Sequence, residues 1–365
     1  MLQFLLKKII RGICFLFLIF QVQAAPSKTV NVYCWAYVLT PEILKEFEKE
    51  TGIKVNLDVY DSSEVMETKL FTGHSGYDVV VVTVWPYLPR QVEAHLYQPL
   101  KPSLITSWKG VDPDLLKRME EADPGNKFAL PFIWGTTGFA YNKKKILDRN
   151  PKAPVNSLAM LFDPSVVSKF ADCGVMLIDS PVDVFPAVLS YLKLDPDSGS
   201  EKNLKKAAQT LSLVRPFIRK FQAEPATEDL TSGNFCLVQG FSGDLLLARN
   251  LSKETGIDIE YVIPEEGADL WIDAFAIPHD APHEDAAHAF INFILRPDII
   301  AKVTDAIAIA NSVPSSFPFM NEDIRNDPLI YPSKEILATL YVNKTHTPKY
   351  ERLRLREWTR VKIGR

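Results

Sequence analysis

The chain of 365 residues lacks the features that mark several large classes of protein. Past its first 24 residues no apolar segment is long and uninterrupted enough to be a membrane span, which takes roughly 20 residues. A membrane-embedded protein is therefore not expected. Basic residues form no stripe, and 41 Lys and Arg are outnumbered by 45 Asp and Glu, so nucleic acid is a poor partner. There is no internal repeat and no low-complexity tract. Cysteine is scarce, with four in all, too few for a disulfide-built scaffold.

What is present starts with a targeting pattern. Lys7, Lys8 and Arg11 form a basic front, Ile13 to Phe20 an apolar run, and Val22-Gln23-Ala24 places small residues where a signal peptidase reads. Residues 1–24 are expected to be a signal peptide, with cleavage after Ala24 or Ala25. The run is too short for an anchor, and Cys14 precedes it, which argues against a lipidated cysteine. Removing the leader leaves 38 basic and 45 acidic residues, a net charge of −7. A remainder of about 340 residues, with an apolar fraction of 47%, suits two domains with their own cores. Cys34, Cys173 and Cys236 are then left. An odd number allows at most one internal bridge, and spacing alone does not choose the pair.

The apolar pattern alternates strands and helices. Val30 to Cys34 reads as a buried strand. Thr40-Pro41 opens a helix that Gly52 ends. Lys54 to Tyr60 is a second strand. Asp61 and Glu64 have the spacing of a capping box for a helix running to Thr72. Asp78 to Val84 is a nearly continuous apolar strand, and a helix follows from Tyr87 to Ala94. The pattern returns with strands at Cys173–Ile178, Asn234–Phe241 and Trp271–Ile277. Helices open at Ser180-Pro181 and near Asp244, and another runs from Glu284 to Leu295. Two α/β lobes with parallel sheets covered on both faces fit this order.

In such lobes ligands bind beyond the carboxyl ends of the strands. The residues found there are Trp35, Tyr37, Trp85, Asp183, Phe241, Asp244, Trp271 and Asp273. They are aromatic or acidic, with no lysine or arginine among them. Ring faces attract ammonium groups by about 0.5–2 kcal/mol, and carboxylates add charge-assisted hydrogen bonds. The set therefore suits a cation. Each residue also has a plainer role open to it. Asp183 and Asp244 fit helix caps, and Trp35 and Trp271 fit a core. Asp273 is harder to assign to structure, because it interrupts the apolar strand Trp271-Ile272-Asp273-Ala274-Phe275-Ala276.

The chain resembles the periplasmic polyamine-binding proteins of bacterial ABC transporters, most closely the putrescine-binding branch. The likeness rests on Phe47-Glu48-Lys49-Glu50-Thr51-Gly52-Ile53-Lys54-Val55, on Asp61-Ser62 with Glu64-Val65, and on Asp123-Pro124 with Asn126-Lys127-Phe128-Ala129. It continues through Trp134 with Thr136-Thr137-Gly138, Cys173-Gly174-Val175 and Gly243-Asp244. Phe290 with Asn292-Phe293, Leu295-Arg296-Pro297-Asp298 and Trp358-Thr359-Arg360-Val361-Lys362 complete it.

The resemblance implies a type II solute-binding fold, with a ligand cleft between lobes joined by crossing strands. The first lobe would comprise residues 25–136 and 268–309, the second residues 137–267 and 310–365. It implies that Trp35, Asp183, Asp244 and Asp273 contact the amine, that Phe241 and Trp271 hold aromatic positions, and that Cys173 pairs with Cys236. Cys34 is then the free thiol, beside the pocket. It further implies a monomer in the periplasm that delivers its ligand to an inner-membrane ABC permease, with no cofactor, no metal and no catalytic residue.

The chain departs from the family at Ala36, Tyr37 and Val38, where a small hydroxyl residue, an acid and a tyrosine are usual. Ile309 stands where a pocket tyrosine is usual, and the turn Val82-Thr83-Val84-Trp85-Pro86 is also changed. One ammonium site is expected to survive and the other to be weakened or recast. Three other readings remain open: an enzyme using Cys34 as nucleophile, a metal receptor using His279, His283 and His288, and a sensor with the same fold.

Overall fold

The computed structural model describes residues 28–223 and 226–364; the expected signal peptide lies outside the described residues. Strand β1 (Thr29–Trp35) turns Val30, Val32 and Cys34 into one core and Tyr33 into another, as a period of two requires. Helix α1 (Pro41–Thr51) begins with proline and ends at Gly52, whose φ of 69° is left-handed. The Thr40 hydroxyl makes no cap hydrogen bond; proline's fixed φ and the Leu44 amide bonded to the Thr40 carbonyl start the helix. Strand β2 (Lys54–Tyr60) follows in parallel register beside β1.

Helix α2 (Ser63–Phe71) corrects a detail of the sequence reading. Its cap is Ser62, which accepts from the Val65 amide at 3.2 Å, and not Asp61. Glu64 instead accepts the Tyr87 hydroxyl at 2.6 Å. Strand β3 (Val79–Thr83) lies parallel to β1, with its four valines wholly buried. In α3 (Val84–Glu93), Trp85 keeps an extended backbone (φ −106°, ψ 134°), so the regular turns start beyond it.

Strand β4 (Ala129–Asn142) is 14 residues long and buried throughout. The second half of the molecule supplies β5 (Val175–Ile178), α4 (Pro181–Tyr191), β6 (Lys220–Gln222), β7 (Leu237–Phe241), α5 (Ser242–Thr255), β8 (Ile259–Val262) and β9 (Asp269–Ala276). The sheet runs β2-β1-β3-β9-β4-β7-β5-β6, with β8 also on β4. β5 is parallel to β6 and β7, which mirrors the parallel trio β2-β1-β3. Antiparallel β9 and β4 join the two trios. Thr137 is the register point at which β4 faces both Asp269 of β9 and Phe241 of β7. The architecture is the two-lobed type II solute-binding fold, with β4 and β9 as its crossing strands.

The remaining elements cover the lobes. Helix α6 (Glu284–Ile294) packs Phe290 edge-on against Phe47 of α1, with centroids 5.2 Å apart. Helix α7 (Pro297–Ile307) carries the segment Pro314–Phe319 on its side, and β10 (Ala310–Asn311) pairs with β4. Helix α8 (Pro348–Lys362) docks in the second half: Trp358 is buried against Phe185 of α4, and its indole donates to Asp179 at 2.8 Å. Cys173 and Cys236, with Cα atoms 5.6 Å apart, are bonded and tie the entry of β5 to that of β7. Among the described residues, no helix is long and apolar enough to cross a membrane.

Candidate functional site

The site is built along β9. Alternation sets Asp269, Trp271 and Asp273 on one face of the strand. Asp273 faces Thr83 across the β3–β9 pairing, and the Thr83 hydroxyl donates to its carboxylate at 2.7 Å. Burial pushes the carboxyl up to about 6, against the opposing pull of Thr83 and of the adjacent Trp35 side chain. Trp35, at the end of β1, is held by Tyr60, with ring centroids 4.4 Å apart. The buried Tyr60 hydroxyl donates to the Val81 carbonyl. This end of the site is therefore one buried acid framed by an indole and a hydroxyl.

Trp271 lies over Gly135, its register partner on β4. A Cβ there would meet the indole at 2.4 Å and the Ser242 hydroxyl at 2.5 Å, so the close approach requires glycine. Phe241 meets Trp271 edge-on, at 6.4 Å and 84°. Phe241 is also the N-cap residue of α5, which puts Asp244 in the first turn of that helix. The capping role open to Asp244 in the sequence is not the one it takes. No donor among the described residues reaches its carboxylate, and burial alone raises it to about 6. Ile309 packs on the neighbouring Gly243, so an apolar side chain flanks this acid.

Asp183, in the first turn of α4, accepts a hydrogen bond from the Ser180 hydroxyl. Ser180 thus donates its hydroxyl hydrogen bond to the acid and does not cap the helix. Burial carries Asp183 up to about 6; Ser180 and the buried Arg354 lower it, and Glu64 of the first half raises it. Tyr87, bonded to Glu64, also feels the Asp183 charge. Asp183 therefore faces both halves of the molecule.

Asp269 was missed by the sequence reading. It is 5% exposed, and its carboxyl is held well above the ordinary range, first by burial and then by Asp183. The signal was present: the alternation that linked Trp271 to Asp273 reaches Asp269 two residues earlier. The expected strand began at Trp271, whereas β9 begins at Asp269.

Other sequence candidates lie apart. Tyr37 is 93% exposed, with φ 66°, in the turn that leaves β1. Trp85 is partly buried, and its indole nitrogen is buried without a partner among the described residues. Cys34 is fully buried and turned into the core with Val30 and Val32, and burial pushes its thiol far up. His283 pairs with Asp78, its ring nitrogen 3.1 Å from the carboxylate. His288 instead accepts from the Lys101 amide. The His279 amide donates to the Leu96 carbonyl.

A model of the bacterial extracellular solute-binding protein family matches residues 37–300. The putrescine-binding periplasmic protein SpuD of Pseudomonas aeruginosa is 41% identical over 346 residues, 94% of each chain. The putrescine-binding periplasmic protein PotF of Escherichia coli is 41% identical over 348 residues, 94% of this chain and 93% of its own. Among solved structures, a spermidine/putrescine ABC transporter substrate-binding protein, PotD of Streptococcus pneumoniae, superposes with a TM-score of 0.81 at 26% identity. It covers 93% of this chain and 99% of its own.

Proposed function

The chain belongs to the bacterial extracellular solute-binding proteins, and from that premise we propose that it captures a small aliphatic amine in the cleft and delivers it to an ABC permease. It is a binding protein and not an enzyme, as its close relatives are. The observation that carries the ligand class is Asp244: a carboxylate desolvated beside Phe241, with no donor among the described residues. A partly buried carboxylate without a donor is held at a cost, and a cation that donates hydrogen bonds removes that cost. Trp35, Phe241 and Trp271 supply ring faces for the alkyl chain and the charge. Asp183, Asp244 and Asp273 supply the negative charge.

In this reading the protein works as a monomer in the periplasm after loss of residues 1–24. Residues 25–136 and 268–309 are assigned to one lobe and 137–267 with 310–365 to the other, except that Pro314–Phe319 packs on α7 of the first lobe while helix α8 packs in the second. The lobes hinge on β4 and β9, and a ligand bridging them favours the closed form by its differential affinity for that form.

Calorimetric titration of protein freed of carried-over ligand by unfolding and refolding tests the proposal. Putrescine, cadaverine, spermidine, agmatine and a monoamine are the ligands. Tight binding of at least one is expected; no heat from any of them would overturn the reading.

A further inference from the structure

Two helices of the second lobe carry a surface that the amine site does not use. The helix Glu201–Val214 turns Leu204, Leu211 and Val214 into the core of that lobe, and α8 turns Leu353, Trp358 and Val361 into the same core. The two helices lie side by side and run in the same direction. At their starts, Lys349 of α8 is ion-paired with Glu201 at 2.6 Å. At their ends, Arg215 donates to the Lys362 carbonyl at 2.9 Å. Their solvent sides therefore form one face. Arg352, Arg356 and Arg360 recur every four residues along α8, all exposed. Lys202, Lys205 and Lys206 are exposed on the neighbouring helix, and Glu201 is the one exposed acid of the pair. Glu357 is buried under Arg356 and Arg360 and pairs with both, and Glu351 is taken by Arg354. The sequence reading found no basic stripe; this one is assembled from two remote segments, in a chain that is acidic as a whole. Aliphatic side chains stand among the cations: Leu355 and Ile363 are each 59% exposed and Leu213 64%.

We propose that this face docks on an anionic phospholipid surface, with the arginines and lysines on the phosphates and the three aliphatic side chains among the headgroups. Two properties select that occupant. The charge is complementary and spread along two parallel helices about 20 Å long, which suits a plane and not a pocket. Guanidinium forks also match phosphate oxygens. Exposed leucines gain nothing from a sugar–phosphate backbone, whereas apolar area buried at the headgroup boundary adds to the electrostatic attraction. The protein would lie on the membrane without entering its core. A search for the permease along the membrane plane would follow, and that consequence rests on the permease reading; the docking itself does not.

Cosedimentation of the mature protein with vesicles tests the proposal. Vesicles of equimolar phosphatidylglycerol and phosphatidylcholine should bind it, vesicles of phosphatidylcholine alone should not, and added salt should weaken the binding. A variant combining Lys205→Gln, Lys206→Gln and Arg352→Gln removes three cations that hold no ion pair among the described residues and leaves Glu357 its partners. It should keep its thermal midpoint and amine affinity and bind the anionic vesicles roughly a hundredfold more weakly, at about fivefold per cation. Leu355→Ser should weaken the same binding by a smaller factor. No binding to the anionic vesicles, or equal binding to both kinds, would overturn the proposal and leave the face to an acidic protein partner. Binding that is unchanged in the triple variant would overturn it too, because the contact would then lie elsewhere. None of these outcomes bears on amine capture, which calorimetry reads separately.

Discussion

The Thr83 hydroxyl and the Asp273 carboxylate meet at 2.7 Å across the pairing of β3 and β9. That bond fixes the acid's orientation before any ligand arrives, and Trp35 closes the same end. Asp273→Ala should weaken binding by about 3–5 kcal/mol, the scale of removing one partner from a buried charged pair. Thr83→Val should cost less, about 1 kcal/mol, because the acid is left in place but loosely held. Calorimetry of both variants checks the ranking, and equal losses would contradict it.

Asp244 predicts effects of opposite sign. In the empty protein its carboxylate is partly buried, is raised to about 6 by that burial, and lacks a donor among the described residues. Asp244→Asn should therefore leave the thermal midpoint unchanged or raise it, since it removes a destabilising group. The same variant should bind amine more weakly by a few kcal/mol. A drop in midpoint would mean that the acid stabilises the empty fold.

Asp183, Asp244 and Asp273 lie near 6 in the ligand-free fold. The unfolded value is about 3.9. The folded protein thus holds more protons than the unfolded chain across that interval. Its ligand-free stability should fall as pH rises from about 4 through 6. A bound ammonium favours the ionised acids, so binding should release protons near pH 6 and strengthen between pH 5 and 7. Titration in two buffers of different ionisation enthalpy measures the release, and buffer-independent heats at pH 6 would contradict the prediction.

Gly135→Ala should damage the site without touching a polar group. The added Cβ would lie 2.4 Å from Trp271, on backbone that the β4–β9 pairing holds in place. Displacing the indole should cost about 1–3 kcal/mol in stability. It should also weaken amine binding and change the tryptophan fluorescence. Wild-type affinity in this variant would show that Trp271 is not part of the floor.

Cys34 should be inert. It is 0% exposed, and burial disfavours its thiolate, which is the reactive form. A thiol reagent at neutral pH should modify it only after unfolding. Reduction of the Cys173–Cys236 bond, which spans 63 residues, should lower stability by about 2–4 kcal/mol. Rapid labelling of the folded protein would revive the reading of Cys34 as a nucleophile.

The apolar runs of β1 and β3, the alternation of Trp271 and Asp273 in β9 and the proline and glycine punctuation of α1 were readable as local pattern. Side-chain period and backbone preference act over a few residues and need no partner. The same locality made Trp35, Phe241, Asp244, Trp271 and Asp273 visible as strand-end or strand-face residues. Tyr37 looked equivalent to them, but its left-handed backbone turns it out to solvent. That orientation depends on how the chain leaves β1.

The sequence by itself determined the α/β class, through its alternating strands and helices, and the family, through the resemblance of its motifs, and it offered a set of acidic and aromatic candidates at the strand ends. Only the tertiary structure decided which acids share a desolvated space. Asp269 and Asp183 are 86 residues apart in the chain, and Glu64, Arg354 and Asn343 come to them from other segments remote in sequence. The protonation of such a group depends on dielectric and on charges within a few ångströms. Those distances exist only once β4 and β9 have crossed between the lobes.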